Sequence, residues 1–290
     1  MDIAPAAPEG PTNTERSILA AIAKLEAAVK QLSGQPFGVY MGDDLVLTQT
    51  IDGLRFFVPA SDSIMAPKMI GNRVWEPRVT NFFKQALKGG DFIDVGANIG
   101  YFSVVAAMLL SGGKGTVHAF EPNPYIFELL RKNVSINWSL APIRMHNHAI
   151  GAKRETLHLT IPNRTPSNAT LIDKGTNEGD QQISVPVIPL SEVEIPFEKV
   201  SMMKIDVEGA EPAVLAGSAE LLRTFDIDLV LEWDVVAQNY VPNATAETIV
   251  LLKTLGYSAY TIERNIEPVE DLSRLGYKNL YLTKKAGLPY

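Results

Sequence analysis

In "DFIDVGANIGYFS", Asp91 to Ser103, an apolar strand-like run ends at Asp94 and enters a turn built on Gly96, Asn98 and Gly100, after which an apolar helical run begins. A strand, a glycine turn and a helix in that order bring backbone N–H groups close to a nucleotide-type ligand. A dinucleotide turn wants glycine at the first, third and sixth places of G-x-G-x-x-G. Here those places hold Gly96, Asn98 and Tyr101, and the bulk at the last two is poor for a pyrophosphate. Gly96 and Gly100 still permit close backbone approach, and the Asp94 carboxylate suits an ammonium group. The implied ligand is zwitterionic and lacks phosphate, which is the chemistry of S-adenosylmethionine. Glu121 closes the next strand-like run, "VHAFE", where a doubly wound fold places the acid that binds ribose hydroxyls. Asn123 stands beside it and, with Pro124 following, caps the next helix.

The segment "SMMKIDVEGAEP" reads as a buried strand that delivers Asp206 and Glu208 at its C-terminal end, where open α/β sheets bind their ligands. Clustered acids and burial raise carboxylate pKa values, so either residue could accept a proton at the chemical step. The same two residues could instead only orient the ligand. Glu211, before Pro212, reads as a cap of the following helix. "DLVLEWD" adds Glu232 and Asp234, which with Asp206 could cage Mg²⁺; a solvated acidic rim is the simpler reading. Of the histidines, His118 reads as structural, and His148, at the end of "IRMHNHAI", is the one expected near an adenine.

Strand-like runs must carry these residues. "FIDV", "TVHAFE", "IRMHNHAI", "SMMKIDV", "DLVLEW" and "YSAYTI" alternate with helical patterns, which implies βα units and a mostly parallel sheet, with "NLYLTK" entering it antiparallel. "TLHLTI" and "ISVPVI" read as a hairpin at the sheet's rim whose loop, between Ile161 and Gln182, could reach a substrate. Upstream, residues 1–11 read as a mobile tail. Residues 12–34 read as a helix with an apolar stripe at Ile18, Ile22, Leu25, Val29 and Leu32, suited either to packing or to a homo-oligomer seam. Residues 35–77 read as a small β extension with a hairpin at Asp52-Gly53, and residues 78–290 as the catalytic domain.

Composition narrows the partners. A formal charge of -7 leaves no footprint for nucleic acid. No apolar run reaches the roughly 20 residues of a membrane span. The absence of cysteine excludes disulfides and thiolate chemistry. With no signal-peptide pattern at the start, the expected compartment is the cytoplasm.

"FIDVGANIGYFS", "AFEPNPYIFELLRKNV", "IPLSEV" and "MMKIDVEGAEPAVLAG" together resemble the FkbM-type S-adenosylmethionine-dependent methyltransferases, from about Trp75 to Leu282. The resemblance implies a Rossmann-like class I methyltransferase fold, with a seven-stranded sheet and an antiparallel last strand. It also implies O-methylation of a small-molecule hydroxyl, on a sugar or a polyketide-like natural product. By motif match, Asp94, Gly96, Asn98 and Gly100 line the cofactor, Glu121 holds the ribose, Asp206 stands near the transferred methyl, and Glu76 reaches the cofactor's amine. The alternatives are an NAD-type oxidoreductase on the same fold and a non-catalytic module that binds S-adenosylmethionine.

Overall fold

The computed structural model describes residues 35–288, apart from 164 and 239, and six scattered positions between 14 and 24. The predicted tail lies outside the described residues, and so does most of the predicted helix over 12–34. Of its stripe only Ile22 is described, helical and 46% exposed.

The β extension is a three-stranded antiparallel sheet of β1 (Gly38–Gly42), β2 (Leu45–Gln49) and β3 (Arg55–Pro59), followed by α1 (Met65–Asn72). The Asp52-Gly53 turn joins β2 to β3, as the pattern predicts; β1 and α1 are additions to that reading. The chain continues through α2 (Pro77–Ala86), β4 (Asp91–Val95), α3 (Tyr101–Leu109), β5 (Val117–Phe120), α4 (Pro124–Ile136) and β6 (Ile143–His146). Next come β7 (Ala149–Ile150), β8 (Glu155–Ile161), β9 (Gln181–Ile188), β10 (Val200–Ile205), α5 (Glu211–Thr224) and β11 (Asp228–Asp234). The last elements are α6 (Val235–Gln238), α7 (Ala244–Thr254), β12 (Ser258–Ile262), β13 (Ile266–Val269) and β14 (Tyr277–Thr283).

The main sheet runs β13-β12-β14-β11-β10-β4-β5-β6. β14 is antiparallel to both neighbours, while β6, β5, β4, β10 and β11 are mutually parallel. This is the class I methyltransferase sheet of seven strands, with β13 added at the edge as a hairpin partner of β12. Two details depart from the pattern reading. "IRMHNHAI" breaks at Asn147-His148, so that β6 ends the main sheet and β7 joins a second one. The β8–β9 hairpin belongs to that second, three-stranded sheet, β7-β9-β8, rather than to the main sheet's rim.

Helix α3 is apolar all round, with every residue from Tyr101 to Ala107 buried, as suits a helix covered on both sides. The sheet covers one side. On the other, Phe83 of α2 stacks edge-on against Phe102, and Phe56 of β3 lies 5.5 Å from the Tyr101 ring. The β extension therefore shares one core with the sheet. Asn133 of α4 tightens the joint, because its side chain accepts from Phe57 N and donates to the carbonyls of Phe57 and Ile99. Among the described residues no helix is long and apolar enough to cross a membrane.

Candidate active site

The sheet order reverses between β4 and β10, whose last residues, Val95 and Ile205, are paired. Two loops leave the sheet side by side there, Gly96–Gly100 and Asp206–Gly209, and a cavity of about 300 Å³ opens over them. The loops touch so closely that a Cβ on Gly96 would lie 1.8 Å from the Asp206 carbonyl oxygen, and the Gly96 φ of 80° is left-handed. Glycine is required there by the neighbouring chain itself. Gly100, φ 87°, would press a Cβ onto Leu130, and it does not reach the cavity.

Of the residues singled out from sequence, Glu76, Asp94, Gly96, Asn98, Glu121, Asp206 and Glu208 line this cavity. Gly100, Asn123 and His148 lie outside the lining. Asn123 is a helix cap: its side chain accepts from Tyr125 N at 3.1 Å and its own N–H donates to Glu121 Oε1 at 2.8 Å. His148 faces Ala149 O and the Phe120 and His146 rings instead, because the strand ends two residues before it.

Each wall of the cavity offers distinct chemistry. Glu121 is buried, and its two oxygens accept one backbone N–H each, from Asn98 at 2.9 Å and Asn123 at 2.8 Å. A carboxylate has about four acceptor sites, so both oxygens keep capacity for a vicinal diol. Burial pushes its pKa up to about 7, against the pull of the two N–H groups. Asp94 is buried, with Oδ2 accepting from Ser103 Oγ at 2.6 Å while Oδ1 has no partner. Glu76 Oε2 is likewise buried and unpartnered. Glu76 also holds a left-handed backbone, φ 41° and ψ 68°, directly before Pro77, where an extended conformation is normal, and its side chain makes no cap bond to α2. Two orphaned acceptors in one cavity lining suit an ammonium donor. Phe120, Ile99, Ala149, Ile150 and Leu159 give an apolar stretch of lining that suits a purine. A diol acceptor, orphaned acceptors for an amine and an apolar wall together fit S-adenosylmethionine.

Lys204, missed by the sequence reading, sits in the middle of this set. It is buried within β10, its Nζ is 2.6 Å from Asp206 Oδ2, and it lies 4.7 Å from the Phe102 ring centroid. The signal was present: a lysine inside an apolar strand, two residues before an aspartate, shares that aspartate's face. The ion pair corrects the expectation for Asp206. Burial is the largest influence and would raise its pKa, but the charge and hydrogen bond of the Lys204 ammonium, with a hydrogen bond from Glu232, together hold the carboxyl below its ordinary range. Glu208 behaves as expected, since burial and then the Asp206 charge push it up to about 7. Burial first, then the Asp206 charge, pushes Glu232 well above its ordinary range, and Tyr277 Oη donates to it.

Oxygens of Asp206, Glu208 and Glu232 come within 4.8 Å of one another. They do not make a ready Mg²⁺ cage. Lys204 already neutralises Asp206, Tyr277 binds Glu232, and Asn168 donates to Glu208 at 3.0 Å, so an ion would have to displace the ammonium first. Asp234 turns away and accepts from Val236 N and Ala237 N at the start of α6. Glu211 does not cap α5; its Oε1 accepts from Val207 N and Gly209 N, bracing the turn that carries Glu208.

Comparison with known proteins gives the family of the chain. Residues 94–259, more than half of the chain, match the methyltransferase FkbM domain. The 31-O-demethyl-FK506 methyltransferase FkbM of Streptomyces tacrolimicus is 32% identical over 59% of this chain and 74% of its own length. Methyltransferase 1 of Beauveria bassiana is 31% identical over 59% of this chain and 73% of its own. Methyltransferase sdnD of Sordaria araneosa is 28% identical over 44% of this chain, and the match spans 60% of that protein's length. The chain belongs to the FkbM-type family of S-adenosylmethionine-dependent methyltransferases.

Proposed function

We propose that this protein O-methylates a hydroxyl group on a small molecule, a sugar or a polyketide-like natural product, with Glu208 taking the hydroxyl proton. The observation that carries the reading is the contrast between two neighbouring carboxylates on one cavity wall. Asp206 is pinned by Lys204 and kept ionised, which makes it a weak base. Glu208, whose pKa burial and the Asp206 charge push up to about 7 against the pull of Lys174, is matched to accept a proton near neutral pH. The name of the Streptomyces relative specifies O-methylation by that protein, which supports the same bond type here.

S-adenosylmethionine supplies an electrophilic methyl on a sulfonium, displaced in line by the acceptor oxygen. Glu121 would hold the ribose hydroxyls, and Asp94 and Glu76 would receive the amine. Asp206 N donates to Val95 O at 3.0 Å and fixes the head of β10 beside the Gly96 turn, so that the reacting groups meet at a set distance, which supplies much of the rate in such displacements. As the C–O bond forms, the hydroxyl proton passes to a Glu208 oxygen.

An NAD-type oxidoreductase fits poorly, because the place of its third glycine is held by the buried ring of Tyr101, whose hydroxyl accepts from Thr80. A non-catalytic binding module would leave Glu208 without a task. The test is to incubate the protein with S-adenosylmethionine and a panel of sugars and polyketide-like alcohols, and to follow products by mass spectrometry. A mass gain of one methylene, located on oxygen by fragmentation, is expected. Cofactor binding with no product across alcohols, and product on nitrogen or carbon acceptors, would both contradict the reading.

A further inference from the structure

Glu208 occupies a backbone position that side chains rarely adopt, φ 54°, and is followed by Gly209 at φ 106°. Such a conformation persists only where its surroundings hold it, and here the hold comes from two directions. From within the turn, Glu211 binds the N–H groups on either side of Glu208. From across the cavity, the segment between β8 and β9 reaches over. Thr170 Oγ1 and Lys174 Nζ donate to the Glu208 carbonyl at 2.8 and 3.2 Å, and Asn168 Nδ2 donates to Glu208 Oε1 at 3.0 Å.

The same segment is fastened at the cofactor end of the cavity. Asn98 Nδ2 donates to Ser167 O at 2.8 Å, and Ser167 Oγ donates to Asp62, whose other oxygen caps the start of α1. Asn98 is in turn the residue whose N–H meets Glu121. A continuous series of contacts thus runs from Glu121 through Asn98, Ser167 and Asn168 to Glu208. Thr160 and Thr170 exchange two backbone hydrogen bonds, at 2.9 and 3.0 Å, which set the segment's register on β8.

We propose that Asn168 is a positioning residue for methyl transfer: its amide holds Oε1 of Glu208, whose side chain lines the cavity, and ties the seat of Glu208 to the loop at Asn98. The proposal rests on Glu208 being the proton acceptor. An amide donor favours the ionised carboxylate, so its loss moves the carboxyl titration upward as well as loosening the side chain. A carboxylate in its place moves the titration further in the same direction through like-charge repulsion.

The experiment is an NMR titration of isotope-labelled glutamate carboxyls in the full chain, with S-adenosylhomocysteine bound and the Glu208 signal assigned by its disappearance in Glu208→Gln. In Asn168→Ala the midpoint of Glu208 is expected to rise above that of the parent protein, and in the isosteric Asn168→Asp, which keeps the shape of the segment, to rise more. S-adenosylhomocysteine affinity should stay within about twofold in both, since Asn168 makes its contact at the acid end. A Glu208 midpoint unchanged in both variants would overturn the proposal and leave the base assignment standing. Full methyl transfer by Glu208→Gln would overturn the base assignment itself, and the proposal with it.

Discussion

Lys204 Nζ and Asp206 Oδ2 lie 2.6 Å apart at the head of β10, the lysine buried among apolar strands and the aspartate at the cavity wall. Two residues apart on a strand, they share a face, and the pair stands where β4 and β10 deliver the two loops of the site. Each charge is tolerated because of the other.

Lys204→Met should therefore cost about 3–5 kcal/mol of stability, because it leaves the Asp206 charge beside the Glu76 and Asp94 carboxyls without its cation. The double variant Lys204→Met with Asp206→Asn should recover a large part of that loss. Urea unfolding midpoints of the two single variants and the double one measure the coupling, and additive losses would show that the two residues do not depend on each other.

Glu121→Ala removes the acceptor left for a diol and the brace on Asn98 N together. S-adenosylmethionine affinity should fall by at least tenfold, from the roughly 1.5–3 kcal/mol of a hydrogen bond to a charged group. Calorimetry decides it, and an unchanged affinity would remove Glu121 from the ribose site.

Gly96→Ala is a test of the turn rather than of the ligand. A methyl group would have to occupy space 1.8 Å from the Asp206 carbonyl, in a left-handed backbone. The variant should lose cofactor binding and melt well below the parent, whereas Gly112→Ala, whose Cβ meets nothing within 4 Å, should keep binding. Retained cofactor binding in Gly96→Ala would mean that the two loops can part.

The strand, turn, strand and acid order was legible because it is local: Asp94, Gly96, Asn98 and Glu121 keep their spacing whatever surrounds them. The antiparallel β14 was legible for a similar reason, as an apolar run after a polar connection. What could not be read depends on where side chains point and on partners distant in sequence. The depressed titration of Asp206 needs Lys204 to point into the cavity rather than to solvent. Glu211 has the spacing of a helix cap, and only the turn at Gly209 shows that it braces the chain before it. β1 lacks an alternating pattern because it is exposed on both faces. The split of "IRMHNHAI" comes from Ala149 and Ile150 finding their partners in Val187 and Ile188, far along the chain.

His146 shows the pH dependence of the fold. Burial first, then the neighbouring His148 and His118, lowers its pKa from 6.5 to about 4. Between those values the unfolded chain binds the proton and the folded chain does not, so the contribution of His146 to stability is full above 6.5 and is lost as pH drops toward 4. His146→Phe, stacked on Phe120 as the imidazole is at 4.5 Å, should flatten this acid limb by up to one proton's slope. Equal slopes for parent and variant in urea titrations across that window would contradict the assignment.

The most direct test is single-turnover methyl transfer from labelled S-adenosylmethionine to an alcohol that the acceptor panel shows to be methylated, comparing the parent protein with Glu208→Gln across pH. The parent rate should rise through a pH near 7, where Glu208 loses its proton, and level off above it. Glu208→Gln should be slower by roughly a hundredfold or more and lack that rise, with cofactor affinity little changed. A Glu208→Gln protein that transfers methyl at the parent rate with the same pH profile would contradict the account.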